Sequence, residues 1–348
     1  MVAALEEKCS VGLPELRTET AGDPSSAAPN VTVILCTHNR AERLAVTLES
    51  LAASDMPALI AWEVLIVDNN STDPTREVAK GFERRYPGRF RYLFEPSPGK
   101  SYALNSGIVN ARGDVLAFVD DDVTVEPTWL QNLTAELHGG GWAGAAGRTL
   151  PAQAFTPPPW LPWKDLRCIL CAYFDLGDQP SELGHGTPPY GANMAFRRVM
   201  FEKYGGFRTD LGPSPTGKTP RPNEDTEFGR RLFGAGERLR YEPRAVVYHP
   251  VPQGRITKTY LLSWCFDLGR ASIVERGDRS HLWGIPRDYL SLLHRVISLL
   301  TLTLRRMFSV DQSKRFYWRC LIKVERGMMV ELYRRMLGRK GSKAAVLP

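Results

Sequence analysis

The sequence predicts an α/β protein, a mostly parallel sheet flanked by helices, with a C-terminal helical extension. Three observations carry this. Over the first 120 residues, apolar runs rich in β-branched residues alternate with segments of helical period, as in a parallel sheet with helices on its faces. Three of those runs end in polar clusters, "CTHNR", "DNNSTD" and "DDDV". Beyond Ile256 the chain reads as helical.

Residues 1–30 show no sustained period, and "AGDPSSAAP" marks a flexible leader. "VTVILC" is a continuous apolar run of the kind expected of a strand buried on both faces, and "RAERLAVTLESLAA" follows with helical spacing. "WEVLIVD", "FRYLFE", a helix from Lys100 to Ala111, and "VLAFVD" continue the alternation. From Pro151 to Thr219 proline, glycine and aromatics dominate, and the segment reads as loop-rich. "NEDTEFGRRLFGAG" reads as a short helix capped by Asn223, and "RLRYEPRAVVYH" as a further strand. The divisions expected are 1–30, 31–123, 124–255 and 256–348.

The composition, 43% hydrophobic and 24% charged, is that of a globular chain. Its net charge of +7 is unevenly placed: residues 287–348 hold fourteen Lys/Arg against four Asp/Glu. "LSLLHRVISLLTLTL" is apolar but shorter than the roughly 20 residues of a membrane span, and His294 and Arg295 interrupt it, so no transmembrane helix is expected. The basic tail interleaved with apolar residues points instead to peripheral membrane contact or to helix packing. Six cysteines, scattered except for Cys168 and Cys171 in "CILC", and no apolar leading signal segment predict reduced thiols and a cytoplasmic location. A lone C-x-x-C favours packing over zinc.

"GPSPTGKTP", residues 212–220, has the spacing of a phosphate-binding P-loop. Pro213 and Pro215 remove the N–H groups such a loop needs, Pro220 and Pro222 follow where a helix should run, and no apolar strand precedes Gly212. The stretch, Lys218 included, therefore reads as a loop and the NTPase reading fails.

Ligands of open α/β sheets bind beyond the carboxyl ends of the strands, where the three polar clusters fall. Asp120, Asp121 and Asp122 repel one another at the end of a buried run unless a positive group answers them, and a divalent cation is one such group. Asp120 and Asp122, two apart on an extended backbone, point to the same side, and all-oxygen ligation suits Mg²⁺ or Mn²⁺. A solvated acidic turn is the alternative. Glu224 and Asp225 read either as first-turn acids complementing a helix dipole or as a general base beside a cation. His249 reads as a metal ligand or a hydrogen-bonded strand end, and Lys100 as a phosphate contact or a solvated lysine.

The ordered set "VILCTHNR", "VLIVDNNSTD", "GKSYALNSGIVNARGDVLAFVDDD", "YGANMAFRR", "NEDTEFGRRL" and "VVYHPVP" resembles glycosyltransferase family 2, with its GT-A fold, over about residues 31–270. The resemblance implies an inverting transfer of sugar from a nucleotide-diphosphate sugar, UDP-linked by family frequency, usually with Mg²⁺ or Mn²⁺, to a glycan or lipid-linked acceptor, and no nucleic-acid partner. It makes residues 31–123 the nucleotide-sugar half and 124–255 the acceptor half. It implies Asp122 as metal ligand, with Asp120 and His249 beside the metal, and Asp225 as base supported by Glu224. Thr37, Asn39, Arg40, Asp68 and Asn69 would lie near base and ribose, Lys100, Asp120 and Asp121 would complete the donor set, and Gly191, Ala192 and Asn193 would lie on the acceptor side. Two departures from the family pattern are His38, where an aromatic is common, and Asn69, where a second acid is common. A nucleotidyltransferase and a binding-only protein of the same fold are the alternatives. A nucleotidyltransferase would carry a glycine- and lysine-rich loop after the first strand, which "CTHNRAER" is not.

Overall fold

A computed structural model describes residues 30–58, 60–139, 141–214, 222–276, 281–282 and 285–343; the predicted leader, but for Asn30, and Lys218 of the P-loop-like stretch lie outside them. In chain order the elements are β1 (Val31–Thr37), α1 (Ala41–Ala52), β2 (Trp62–Asp68), α2 (Thr75–Arg85), β3 (Phe90–Phe94), α3 (Lys100–Asn110) and β4 (Val115–Asp120). Then come β5 (Thr124–Val125), α4 (Trp129–Thr134), β6 (Gly144–Pro151), α5 (Trp163–Cys171), β7 (Ser181–Glu182), β8 (Asn193–Arg197), α6 (Arg198–Tyr204), α7 (Glu224–Gly234) and β9 (Leu239–His249). The chain continues through α8 (Lys258–Glu275), the small ribbon β10 (His281–Leu282) and β11 (Ile285–Pro286), then α9 (Arg287–Phe308) and α10 (Gln312–Lys343).

Nine strands form one sheet in the order β3-β2-β1-β4-β8-β6-β9-β5, with β7 paired to β9. The first four pair in parallel. The pairings of β4 with β8, β6 with β8, β5 with β9 and β7 with β9 are antiparallel. The parallel register sets Thr37 level with Asp68, and Cys36 level with Asp120, so β1, β2 and β4 end together at one edge. Every residue of β2 is buried, which is why its middle, residues 64–67, is apolar without alternation. Helix α1 buries Leu44, Leu48 and Leu51, one stripe at helical spacing.

The opposite sheet edge is closed by a buried carboxylate. Glu63 of β2 accepts from the Thr32 hydroxyl at 2.9 Å, from Arg91 at 3.1 and 3.2 Å and from the Arg112 backbone N–H at 3.1 Å, tying β1, β2, β3 and the α3–β4 turn together. Four hydrogen bonds from three partners satisfy the charge, so it stabilises register instead of seeking solvent.

Residues form two compact units: one of the residues up to Thr149, Phe174–Phe207 and Phe228–Tyr248, the other of Leu150–Tyr173, Arg208–Glu227 and the residues from His249 on. The first holds the sheet. Its aromatic core stacks Phe201 on Phe228 at 4.5 Å and sets Phe196 edge-on to Phe228 at 5.0 Å. In the second, α5, α8 and α10 share a core of Leu166, Leu170, Leu261, Cys265, Phe316 and Cys320. There α8 and α10 approach so closely that a Cβ on Gly269 would fall 2.0 Å from the Val324 carbonyl. Among the described residues no helix is long and apolar enough to cross a membrane.

One close approach makes a direct test. A Cβ on Gly147 of β6 would sit 2.2 Å from the Ala245 carbonyl and 2.4 Å from the Asn193 amide. Gly147→Ala should therefore lower stability by about 1–3 kcal/mol, the cost of overpacking, read as an earlier urea midpoint.

Candidate active site

The turn after β1 and the turn after β2 are built into one another. Asn39 has a left-handed backbone, φ 52°, which asparagine tolerates better than branched residues. Its Oδ1 accepts from the Thr72 N–H at 2.7 Å and the Asp73 N–H at 3.3 Å, while its own N–H donates to the Ser71 hydroxyl at 2.9 Å. His38 Nδ1 lies 2.8 Å from the Asn69 carbonyl. A carbonyl only accepts, so the proton is on Nδ1, and Nε2 accepts from Asn39 Nδ2 at 3.3 Å. The Asp73 carboxylate receives the first N–H of α1, from Ala41 at 3.0 Å, serving the helix end that Arg40 leaves without a side-chain cap.

Asp68 and Asn69 are buried and hold the turns around them. Asp68 accepts from the Ser71 N–H and from the Tyr92 hydroxyl, both at 2.9 Å. Asn69 donates to the Ser97 carbonyl at 2.6 Å and accepts from the Gly99 N–H at 2.8 Å, which positions the start of α3. Thr37, the last residue of β1, is buried beside them in the sheet.

The three carboxylates that end β4 meet cations supplied by the chain itself. Arg40 Nη1 lies 2.7 Å from Asp121 and 3.3 Å from Asp122, Arg43 reaches Asp122 at 3.4 Å, and Lys100 reaches Asp120 at 2.9 Å. Lys100 is thus paired at the strand end. Burial pushes the Asp121 carboxyl above its usual range, with the Arg40 guanidinium opposing it. Burial alone would lower Arg40, but the Asp121 and Asp122 charges outweigh it and hold the guanidinium firmly protonated. The sequence argument made a divalent cation the answer to this repulsion; the structure answers it first with two arginines and a lysine.

A metal nevertheless fits the donor set. One ligand atom each from Asp120, Asp122 and His249, the last residue of β9, lie within 4.8 Å of one another. His249 Nδ1 is 2.8 Å from the Pro250 carbonyl, which fixes the proton there and places the ring's lone pair on Nε2, as metal-ligating histidines require. Two carboxylates and one imidazole suit Mg²⁺ or Mn²⁺.

The remaining predicted residues stand on other elements. Glu224 is buried and Asp225 half-buried in the first turn of α7, where Asp225 accepts from the Thr226 N–H at 2.6 Å. Asn223 precedes them with φ 86° and donates to Glu275 at 2.9 Å. Gly191, Ala192 and Asn193 are buried at the start of β8. The Asn193 amide accepts from Trp129 Nε1 at 2.8 Å and donates to the Arg148 and Ala245 carbonyls at 2.9 and 2.8 Å, so it works as an internal strut. Sequence reasoning missed Arg43, Asp73 and Tyr92. Arg43 had a signal, three residues beyond Arg40 on a helix and so on the same side. Tyr92 had none, since its partner is 24 residues away.

Residues 32–205 match the family described as Glycosyl transferase family 2. The chain is 30% identical over 242 residues to the succinoglycan biosynthesis protein ExoM of Rhizobium meliloti (strain 1021), covering 69% of this chain and 73% of that protein. It is 28% identical over 235 residues to the glucosyl-dolichyl phosphate glucuronosyltransferase of Haloferax volcanii, covering 67% and 72%. In fold it is similar to a mannosyltransferase from Pyrobaculum calidifontis solved in complex with GDP-Man and Mn²⁺, with a TM-score of 0.56, 20% identity, and coverage of 88% of this chain and 89% of that one.

The Tyr92–Asp68 bond can be tested by pH. Burial and the Asp68 carboxylate push the Tyr92 phenol up to about 12. A raised value means the bond contributes fully below the unfolded pKa of about 10 and is lost only as pH rises through the folded one. Tyr92→Phe should cost about 1–2 kcal/mol, and urea unfolding should give the same difference at pH 6 and pH 9.

Proposed function

We propose, for a chain that belongs to glycosyl transferase family 2 and so transfers a sugar from a nucleotide-sugar donor, an inverting, metal-assisted reaction with a UDP-linked donor. The observation that carries the metal assistance is the convergence of Asp120, Asp122 and His249 within 4.8 Å at strand ends. A bound Mg²⁺ or Mn²⁺ would stabilise the negative charge of the departing nucleoside diphosphate. Asp122 is the principal ligand in this reading, with Asp120 and His249 completing the set. The fold likeness to a protein solved with Mn²⁺ is consistent with it but concerns the fold alone.

The chain's own groups supply the rest. Thr37, Asn39, Arg40, Asp68 and Asn69 hold base and ribose; Lys100, Asp120 and Asp121 hold the remainder of the donor. Their turns are tied by the hydrogen bonds described above, so little ordering remains to be done on binding. Asp225, supported by Glu224, takes the proton from the attacking acceptor hydroxyl. A single displacement then inverts the anomeric centre. Residues 31–123 act as the donor half and 124–255 as the acceptor half, with Gly191, Ala192 and Asn193 shaping the acceptor side through the backbone that the Asn193 amide anchors. The acceptor is a glycan or a lipid-linked glycan, the second favoured by similarity to a relative named for glucosyl-dolichyl phosphate, and it is met by peripheral contact at the cytoplasmic face of a membrane.

Turnover of a panel of nucleotide sugars with Mn²⁺, followed as slow donor hydrolysis, tests the donor; hydrolysis of GDP- but not UDP-sugars would overturn the UDP assignment. Asp122→Ala should abolish the metal dependence of nucleoside diphosphate binding by calorimetry; equal affinity of the wild type with and without metal would remove the metal from the reading. Asp225→Asn should lower transfer by roughly 10² to 10⁴ while donor affinity survives. Near-normal turnover in that variant would move the base elsewhere.

A further inference from the structure

We propose that the outward face of α9, with the turn that joins it to α10, is a docking surface for an anionic lipid leaflet. This deepens the peripheral contact proposed above and rests on that part of the reading alone.

Leu293, Ile297, Leu300, Leu304, Met307 and Phe308 are all exposed. At 100° per residue their spacing confines them to an arc of about 100°, the width of the apolar stripe with which a helix normally packs on a core. Here the core-facing work is done by a different side. Arg295 and Ser298 of α9 bond Glu325 of α10 at 3.2 and 2.8 Å, and Leu302 is buried. The helix therefore has an apolar face that is left uncovered among the described residues, and exposure rises at its end, from 54% at Leu304 to 82% at Phe308 and 93% at Val310. An apolar face of that length in water is costly unless something meets it.

Charge selects what meets it. Residues 289–310 contain three arginines and His294 and no carboxylate, and Arg305, Arg306, Lys314 and Arg315 are exposed around the turn. The acid there, Asp311, accepts from the Lys314 N–H at 2.7 Å, at the start of α10. A symmetric pair of copies would set one basic rim against another with no carboxylate in the stripe to answer it. An anionic leaflet answers the rim with headgroups and the stripe with acyl chains, the arrangement of a helix that lies in the interface. The helix does not meet the length and apolarity of a span, so it lies on the membrane and does not cross it.

Sedimentation of the full chain with vesicles tests this, comparing phosphatidylcholine mixed with phosphatidylglycerol against phosphatidylcholine alone, each at low and high salt. The chain should sediment with the anionic vesicles at low salt, and less at high salt or without phosphatidylglycerol. Leu293→Glu with Leu300→Glu should lower the bound fraction at least about tenfold, given the loss of two inserted apolar groups. Met307→Ala with Phe308→Ala, at the exposed turn where neither side chain is buried, should lower it in the same direction and guards against a misfolded first variant. Wild type remaining in the supernatant with anionic vesicles at low salt would overturn the proposal, as would variants that bind as well as wild type. A concentration-dependent dimer dispersed by Leu293→Glu with Leu300→Glu, without vesicle binding, would assign the face to a second copy and overturn it as well. Nucleoside diphosphate affinity, measured on the same samples by calorimetry, reports the donor site separately. Vesicle binding without nucleotide binding would sink the sugar-transfer reading and leave this one standing.

Discussion

Three successive carboxylates at the end of a buried strand are the constraint around which the parallel half of the sheet is arranged. Like charges a few ångströms apart in a poorly hydrated place destabilise the chain unless cations are held against them. Arg40 and Arg43 come from the start of α1, and Lys100 from the start of α3. The two arginines reach the end of β4 because α1 follows β1, which pairs with β4 in parallel and brings Cys36 level with Asp120.

Cations can only be held there if the loops that carry them are fixed, and asparagine does much of that fixing. Asn39 and Asn70 adopt left-handed backbones, and the amides of Asn39 and Asn69 bond the neighbouring turns. A polar amide that takes left-handed geometry and offers both donor and acceptor can close two loops on each other without adding charge. The charged groups are added on top of that neutral frame. On the proposed reading, a donor molecule entering such a site would meet groups already oriented, which limits the ordering cost of binding.

The legibility of the sequence tracked the strength of its periodic signal. β1, β2, β3, β4, α1 and α3 were readable because burial on both faces or along one stripe forces an apolar pattern into the chain. The helix α2 was not, because "TREVAKGFERR" buries only Thr75, Ala79 and Phe82 and the rest is half-buried or exposed. The segment 151–219 reads as loop from its prolines and glycines, yet it contains α5, β8 and α6, whose partners lie far away in sequence. Antiparallel pairing of β8 with β4 and β6 leaves no mark in local composition. Asn193 stands in the segment that the family resemblance puts on the acceptor side, and nothing local shows that its amide is bonded to Trp129, Arg148 and Ala245, 64, 45 and 52 residues away.

By itself the sequence determined the α/β class, the family likeness and the clustering of polar residues at three strand ends, because each depends on local period or on short motifs in fixed order. It also located the basic, apolar tail, since charge and hydropathy are additive along a chain. Tertiary structure alone decided which cations answer which carboxylates, which ring nitrogen of His38 and of His249 carries the proton, and which side of α9 is turned inward. Those are matters of distance between residues remote in sequence, and a Coulomb or hydrogen-bond energy depends on separation in space, which no count of residues along the chain supplies.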